Sequence, residues 1–325
     1  MDRLGATVPV IDAAACVHTL APVASCRACV EACSHAAMVL TDEALGIDVE
    51  ACTGCGRCVP ACPRSAITAE RDMLVIRTGR DSGEAFAACR RAVQPDVAAM
   101  ACVHALGARD LDTLAADGIA RLSVATGACE TCTDGVGPVR LDQAAKTHAA
   151  VRASRGERAV AVVRSDPASF RRTLARARES EQRIDRSRRR LFGAIIDVPP
   201  PAAATPMPRA YVTPTIDAAQ CTACEACIRI CPDDALALER GGRHRFRVQP
   251  DRCSGCGLCV DVCEDGAMGL VPLGDAKAAD VPLDGYRCRA CGVTVHVPAG
   301  RDTTSLCRIC ARTGHYRSLF QVLDP

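Results

Sequence analysis

The middle of the chain, from residue 71 to residue 198, alternates short apolar runs with longer stretches of helical periodicity. The apolar runs lie at residues 85–89, 97–102, 122–125 and 159–163. The helical stretches lie between and after them, at residues 108–117, 140–154 and 167–195. Strands that alternate with helices in this way form parallel sheets covered by helices. The pattern therefore predicts a central α/β domain with a mainly parallel sheet.

The last of these helices, residues 167–195, combines one apolar stripe with basic faces. The stripe consists of Phe170, Leu174, Ala177, Ile184, Leu191 and Ile195, and it predicts packing on the sheet. Residues 171–190 hold nine arginines against Glu179, Glu181 and Asp185, a net charge of +6. This surface is either a solvated helix face or a docking surface for an acidic redox partner.

Composition makes cysteine the main source of chemistry. The 325 residues include 24 cysteines but only five Phe, three Tyr and no Trp. So few large apolar side chains cannot fill several cores, and cysteine is the obvious additional stabiliser. Lys and Arg number 40 against 38 Asp and Glu, so the net charge of +2 excludes a globally basic nucleic-acid binder.

The sequence shows no targeting or membrane-spanning signal. No run approaches the roughly 18 apolar residues of a membrane span. Residues 1–5 lack the basic stretch and apolar core of an export signal. We therefore expect a cytoplasmic protein without a membrane span. In a reducing compartment, cysteines at this density favour metal ligation over disulfides.

The cysteines fall into sets of four. Two runs near the start are Cys16, Cys26, Cys29, Cys33 and Cys52, Cys55, Cys58, Cys62. Two later runs are Cys221, Cys224, Cys227, Cys231 and Cys253, Cys256, Cys259, Cys263. The remaining sets are Cys89, Cys102, Cys129, Cys132 and Cys288, Cys291, Cys307, Cys310. No thiol is left over, as expected if each set ligates one centre.

Residues 8–70 and 213–272 resemble bacterial-type ferredoxins that carry two [4Fe-4S] clusters. The resemblance rests on runs such as Cys52-x2-Cys55-x2-Cys58-x3-Cys62-Pro63. Three thiolates of such a run bind one cube, and the fourth binds the neighbouring cube. The two segments also match each other, residues 11–16 with 216–221 and residues 52–59 with 253–260. This internal repeat indicates a duplicated cofactor module.

The resemblance implies four cross-paired clusters. In the first module the ligand sets are Cys16, Cys26, Cys29 with Cys62, and Cys52, Cys55, Cys58 with Cys33. In the second module they are Cys221, Cys224, Cys227 with Cys263, and Cys253, Cys256, Cys259 with Cys231.

The first run departs from the family pattern, because nine residues instead of two separate Cys16 from Cys26. The insert, residues 18–25, contains no competing thiol, and we expect a complete cluster. The alternatives are a three-iron or absent cluster that leaves Cys16 idle, or His18 as a substitute ligand. Ser34 and Glu264 replace the usual proline after the fourth cysteine, which changes loop rigidity and not ligation.

The middle set follows the predicted strands, at the edge where α/β sheets bind ligands. Cys89, Cys102, Cys129 and Cys132 therefore predict a fifth metal centre, iron–sulfur in preference to zinc. The alternative makes Cys89 and Cys102 core residues and leaves only Cys129 and Cys132 reactive. In its cysteine placement the block resembles α/β segments of iron–sulfur subunits that accompany hydrogenases and heterodisulfide reductases.

The tail carries two cysteine pairs, Cys288-x2-Cys291 and Cys307-x2-Cys310, separated by 15 residues. This spacing predicts a four-thiolate knuckle for zinc or a single iron. The tail resembles zinc ribbons and, less closely, rubredoxins, whose second pair carries a Pro and a Gly that are missing here. Structural zinc is favoured, because so small a module needs a metal to fold.

The expected fold class is α+β and multidomain. The order is a ferredoxin-like module at 1–70, the α/β domain at 71–198, a Pro-rich linker at 199–212, a second ferredoxin-like module at 213–272 and a zinc-ribbon-like module at 273–325. The six prolines between residues 197 and 214 make the linker a semi-rigid spacer.

No phosphate-binding loop, nucleophile elbow or dinucleotide fingerprint accompanies the cysteines. We therefore expect a multi-cluster electron-transfer protein that acts as a relaying subunit or redox partner of a larger oxidoreductase. Two alternatives stay open. One is a catalytic subunit whose middle four-cysteine centre binds substrate, and the other is a redox-sensing, metal-binding regulator. We expect no nucleic-acid partner, since no stacking aromatics accompany the basic residues.

Overall fold

The computed structural model describes residues 8–41, 44–69, 71, 73–77, 83–93, 99–132, 139–191, 211–241, 243–274, 280–301 and 305–314, with the backbone alone at 77, at 139 and over 182–191. The chain divides into two compact units, residues 1–22 with 26–207 and residues 23–25 with 208–325. Most of the predicted linker and the side chains of Ile184, Leu191 and Ile195 lie outside the described residues. Among the described helices, none has the length and apolar character needed to cross a membrane.

The first cysteine-rich segment folds into short strands and helices whose ends are set by cysteines. Its elements are β1 (Val10–Ile11), α1 (Val17–Leu20), α2 (Ala28–Ala32), β2 (Met38–Leu40), β3 (Leu45–Ile47), α3 (Cys58–Ala61) and β4 (Ile67–Thr68). Strand β1 pairs antiparallel with β4, and β2 pairs antiparallel with β3. Cys33 ends α2 and Cys62 ends α3. Each of these helices therefore ends at the fourth cysteine of its run.

The central block contains a five-stranded sheet. Its elements are β5 (Leu74–Arg77), β6 (Gly83–Cys89), β7 (Ala99–Met100), α4 (Ala108–Ala116), β8 (Ile119–Ala125), α5 (Val139–Ser154), β9 (Ala161–Ser165) and α6 (Pro167–Leu191). Strand β6 is parallel to β7 and β8, and β8 is parallel to β9. Strand β5 is an antiparallel edge strand, which the sequence pattern did not predict. Its apolar run follows the first module so closely that it lacks a separating turn signal.

Alternation along β6 separates two cores on the two faces of the sheet. Ala85 and Ala87 pack with residues of α4 and α5 on one face. Phe86 packs with Phe170 and Leu174 of α6 on the other face. The rings of Phe86 and Phe170 meet edge to face, with centroids 5.8 Å apart. Helices thus cover both faces, so the carboxyl edge of the parallel strands is where a site can form.

Helix α6 begins at Pro167 because that residue suits a first helical position and because Asp166 caps it. The carboxylate of Asp166 accepts the backbone N–H groups of Ala168 and Ser169 at 3.0 and 2.9 Å. Beyond the packed stripe the helix is polar. Arg171, Arg172, Arg176 and Arg178 are exposed.

The second unit repeats the cysteine-rich fold. Its elements are β10 (Val212–Ile216), α7 (Ala226–Ile230), β11 (Leu236–Glu239), β12 (Arg245–Val248), α8 (Leu258–Asp261) and β13 (Met268–Pro272). Strand β10 pairs antiparallel with β13, and β11 pairs antiparallel with β12. These pairs match β1 with β4 and β2 with β3 in the first segment, which agrees with the internal repeat in the sequence.

The tail adds β14 (Val281–Arg287), β15 (Thr294–Pro298) and α9 (Arg308–Thr313). Strand β14 pairs with β15 and also with β12, so β11, β12, β14 and β15 form one four-stranded sheet. Phe246 of β12 shares a core with Val281 and Leu283 of β14. The sheet therefore crosses the boundary that the sequence placed between residues 272 and 273.

Candidate metal centres

The cysteines of the first segment line two open cavities, each with about 330 Å³ of space that includes open solvent. One is lined by Cys16, Cys26, Cys29 and Cys62, and the other by Cys33, Cys52, Cys55 and Cys58. Each cavity takes three cysteines from one run and the fourth from the other run. This is the arrangement that the ferredoxin resemblance implies.

The second unit repeats this arrangement in cavities of about 330 and 320 Å³. One is lined by Cys221, Cys224, Cys227 and Cys263, and the other by Cys231, Cys253, Cys256 and Cys259. Left-handed backbone allows these loops to wrap around their cavities, at Gly255 with φ +79° and Gly257 with φ +88°.

The insert after Cys16 does not displace that cysteine from its cavity. Residues 17–20 form the short helix α1, and Cys16 stays buried beside Cys26 and Cys29. His18 lines the same cavity, but its Nε2 lies 2.7 Å from the carbonyl oxygen of Cys26 and donates to it. The structure thus supplies four thiols there, and it uses one nitrogen of His18 to hold the inserted loop.

The fourth cysteine of each run accepts a hydrogen bond from the backbone N–H four residues later. The N–H groups of Ala37, Ala66, Ala235 and Ala267 lie 3.3, 3.3, 3.3 and 3.2 Å from Sγ of Cys33, Cys62, Cys231 and Cys263. Such bonds stabilise the thiolate and tune a bound cluster. The sequence carried this signal, a buried alanine at the same position after every run, and the sequence interpretation missed it.

Burial and mutual repulsion oppose ionisation of the innermost thiols. Burial, reinforced by neighbouring thiols of the same cavity, raises the pKa of Cys58, Cys227 and Cys259 to about 12. The same causes raise the pKa of Cys29 to about 11. Four crowded thiolates therefore need a cationic centre to offset their charge. Four sulfur donors around one opening, with backbone N–H groups aimed at sulfur, fit the ligand requirements of an iron–sulfur cube.

The middle cysteines lie at the carboxyl edge of the central sheet. Cys89 ends β6, Cys102 follows β7, and Cys129 and Cys132 occupy the turn after β8. Cys89 interacts electrostatically with both Cys102 and Cys129, and Cys132 with Cys129, so these thiols are neighbours. Their sulfur atoms do not, however, form a group of three or more within 4.8 Å of one another. Burial raises the pKa of Cys102 to about 12, while the backbone N–H of His104 bonds its sulfur and opposes that rise.

The turn after Cys102 packs against the second cysteine run of the first segment. A Cβ added to Gly56 would lie 3.2 Å from Cβ of Ala105, and one added to Gly107 would lie 2.6 Å from Cβ of Pro60. Arg109 donates to the carbonyl oxygen of Pro63 at 2.6 Å. The charge of Cys55 raises the pKa of the Cys102 thiol, and the charge of Arg57 lowers it. The cavity lined by Cys33, Cys52, Cys55 and Cys58 is therefore a close neighbour of the middle cysteines.

Two polar residues beside this contact escaped the sequence interpretation. Arg57 is only 4% exposed and His104 only 5% exposed. Burial, followed by the charges of Arg164 and Arg57, lowers the pKa of His104 to about 4. The sequence held a signal for each of them. Arg57 lies between two cluster cysteines, Cys55 and Cys58, and His104 interrupts the apolar turn after Cys102.

The C-terminal cysteines make a tighter group. The Sγ atoms of Cys288, Cys291, Cys307 and Cys310 all lie within 4.8 Å of one another, and among the described residues no other group of three or more metal-ligating side chains is so close. Sγ of Cys291 lies 3.8 Å from Sγ of Cys307. A tetrahedral ion with metal–sulfur bonds of about 2.3 Å holds its sulfur atoms about 3.8 Å apart. The donor set and spacing fit a single ion.

Backbone N–H groups also point at these thiols. The N–H of Cys307 donates to Sγ of Cys288 at 3.2 Å, and the N–H of Cys310 donates to Sγ of Cys307 at 3.3 Å. Backbone N–H groups lower the pKa of Cys288 to about 6, whereas burial raises the pKa of Cys310. Gly292, with φ +73°, allows the turn that brings Cys288 and Cys291 together.

Two segments of the chain match known families. Residues 220–267 match the family model of the 4Fe-4S dicluster domain, and residues 45–68 match that of the 4Fe-4S binding domain. No curated protein matches the chain. The matches identify two 4Fe-4S ferredoxin-type domains, so this is an iron–sulfur, metal-binding protein of mixed α and β structure with several sheets.

Proposed function

We propose that this chain relays single electrons through four [4Fe-4S] clusters and a fifth centre at the middle cysteines. One observation carries the proposal: the four cavities of 320–330 Å³ each take three cysteines from one run and one from another. Bound clusters would supply the one-electron chemistry. The chain contributes the thiolates, the N–H groups that bond them, and the partial burial of most of the sulfur atoms.

The ligand sets in this proposal are the lining cysteines of each cavity. They are Cys16, Cys26, Cys29, Cys62; Cys33, Cys52, Cys55, Cys58; Cys221, Cys224, Cys227, Cys263; and Cys231, Cys253, Cys256, Cys259. The fifth centre takes Cys89, Cys102, Cys129 and Cys132. Its closeness to Cys55 supports an electron path between that centre and the neighbouring cube.

For the tail we propose structural zinc at Cys288, Cys291, Cys307 and Cys310. The spacing of the four Sγ atoms supports one tetrahedral ion, and strand β14 joins the tail to the sheet of the second unit. A metal at this knuckle would therefore stabilise the sheet edge beside the ferredoxin-type fold.

We further propose that the electrons pass to or from a larger oxidoreductase in the cytoplasm. The exposed arginines of α6, which include Arg171, Arg172, Arg176 and Arg178, support docking of an acidic partner. Replacing these four arginines by glutamine should slow electron transfer to the partner at low salt and leave the cluster content unchanged. Equal rates would remove α6 from the docking surface.

Anaerobic reconstitution of the full chain, with iron, sulfide and zinc counts, tests the cofactor content. Four cubes require about 16 iron and about 16 sulfide per chain, and a fifth cube brings each to about 20. About one zinc is expected at the knuckle. Fewer than about 8 iron, with several zinc ions instead, would contradict the relay.

A second candidate function, catalysis at the middle cysteines, is favoured by their place at the carboxyl edge of the sheet. It requires a centre with a labile coordination position and turnover without a partner enzyme. Binding of cyanide to the reduced chain, followed by electron paramagnetic resonance (EPR), distinguishes the two. A changed spectrum that C129S abolishes would favour catalysis, and an unchanged spectrum favours the relay.

A further inference from the structure

His104 is a buried imidazole that an electron relay does not require. Its side chain is 5% exposed, and neither Nδ1 nor Nε2 has a hydrogen-bond partner among the described residues. Buried polar atoms nearly always have partners, and a neutral imidazole offers one N–H donor and one lone pair. Two unpartnered ring nitrogens therefore point to a ligand that is itself polar.

Three arginines from separate parts of the first unit lie near enough to this imidazole to interact with it electrostatically. The charges of Arg57, Arg140 and Arg164 all lower the pKa of the imidazole, and the charge of Asp142 raises it. Arg57 is buried at 4% exposure, whereas the ion pair between Arg164 and Asp142, at 2.8 Å, is partly exposed. The cationic groups thus extend from the interior toward solvent.

The position of these residues in the fold is that of a ligand site. His104 follows β7, Arg140 lies in the first turn of α5 after β8, and Arg164 lies near the end of β9. All three lie at the carboxyl edge of the parallel strands, where open α/β sheets bind ligands. Arg57 reaches the same place from the cysteine run of the first segment and also acts on Cys102 and Arg140.

We propose that His104, Arg57, Arg140 and Arg164 form a binding site for a small oxyanion. Planar guanidinium groups match the oxygen atoms of such an anion, and the imidazole N–H supplies a further donor. The second ring nitrogen accepts from an anion that carries a hydroxyl group, such as bicarbonate or hydrogen phosphate. The anion site does not depend on the proposed electron relay. The two are connected only because the site lies beside the metal centre proposed at the middle cysteines.

Calorimetric titration of the anaerobically reconstituted full chain with bicarbonate and with inorganic phosphate tests the site. We expect saturable binding of at least one anion with a Kd below about 1 mM. Arg140→Gln and Arg164→Gln should each weaken binding about tenfold or more, because each removes a cationic donor. Arg121→Gln is the matched control, since Arg121 is an exposed arginine near the other end of β8, and it should leave the Kd unchanged.

Two results would overturn the site: no binding of either anion at about 10 mM, or equal affinity in R140Q, R164Q and the unsubstituted chain. His104→Gln, with pulsed EPR on the reduced protein, supplies a second test. Nitrogen coupling to the cluster spin that disappears in H104Q would make His104 a metal ligand and would also overturn the proposal. Iron and sulfide counts are independent of these outcomes, so failure of the relay and failure of the anion site are distinguishable.

Discussion

Replacing Gly56 by alanine perturbs the contact between a cluster-binding loop and the central block. Gly56 has φ +72°, and its added Cβ would lie 3.2 Å from Cβ of Ala105. Ala105 is 1% exposed and sits in the short turn after Cys102, so it has little room to move. The substitution therefore combines backbone strain with overpacking.

Substitutions at matched glycines separate the contributions of backbone strain and of overpacking to the free energy of unfolding. Gly156 has φ +68° and nothing within 4 Å of an added Cβ, so G156A measures left-handed strain alone, about 1–2 kcal/mol. G56A adds overpacking of about 1–3 kcal/mol. G107A approaches the contact from the other side: φ is −111°, outside the left-handed region, but its Cβ would meet the ring of Pro60 at 2.6 Å.

Urea unfolding of the reconstituted full chain checks this prediction, followed by cluster absorption and by far-ultraviolet circular dichroism. We expect G56A and G107A to lower the transition midpoints of the central block and of the adjacent cluster together. G156A should lower the block's midpoint by less than G56A does. If G56A and G156A lowered the free energy of unfolding by the same amount, within about 0.5 kcal/mol, the claim that the two loops pack as one structure would be refuted.

Three further predictions concern the second unit. Cys231→Ser should alter the EPR signal of the cluster bound by Cys253, Cys256 and Cys259. Cys263→Ser should alter the signal of the cluster bound by Cys221, Cys224 and Cys227. The opposite assignment, in which each substitution alters the cluster of its own run, would contradict the cross-pairing. Cys307→Ala should remove about one zinc per chain, measured by elemental analysis, and leave iron unchanged; retained zinc would exclude the knuckle. His244 Nδ1 lies 2.6 Å from His296 Nε2, and burial together with His244 lowers the pKa of His296. The folded state therefore disfavours the protonated imidazole. As pH falls from about 6.5 through the lowered pKa, the unfolded chain takes up the proton first and the fold loses stability. The loss is below about 1 kcal/mol, because the ring is partly solvated. His296→Gln should flatten the pH dependence of the unfolding midpoint, and an unchanged slope would exclude this pair as its source.

Sequence pattern was sufficient where a local rule specifies the structure. Alternating apolar runs and helical periods located β6, β8 and β9. Burial on both faces accounts for the nearly continuous apolar run of β6. The x2 and x3 spacings placed the ferredoxin-type segments, because a cube needs thiolates from fixed positions. The bounds of α4 and α5 fall within one residue of the predicted stretches, since their periodicity ends at turn residues.

Contacts between distant segments were not predictable from the sequence. The pairing of β12 with β14 joins two predicted modules, and nothing local to Phe246 or Val281 specifies it. Arg57 and His104 are 47 positions apart, and only the packing of two loops buries them together. Insertion of α1 after Cys16 broke the family spacing, yet the antiparallel pairing of β1 with β4 keeps Cys16 at its cavity.

Anaerobic reductive titration of the reconstituted full chain, with EPR spin counting, tests the electron relay most directly. Four cubes accept about four electrons per chain, and a fifth centre accepts about one more. We expect these electrons together with magnetic interaction between neighbouring clusters. A colourless chain that lacks acid-labile sulfide and accepts no electrons would contradict it.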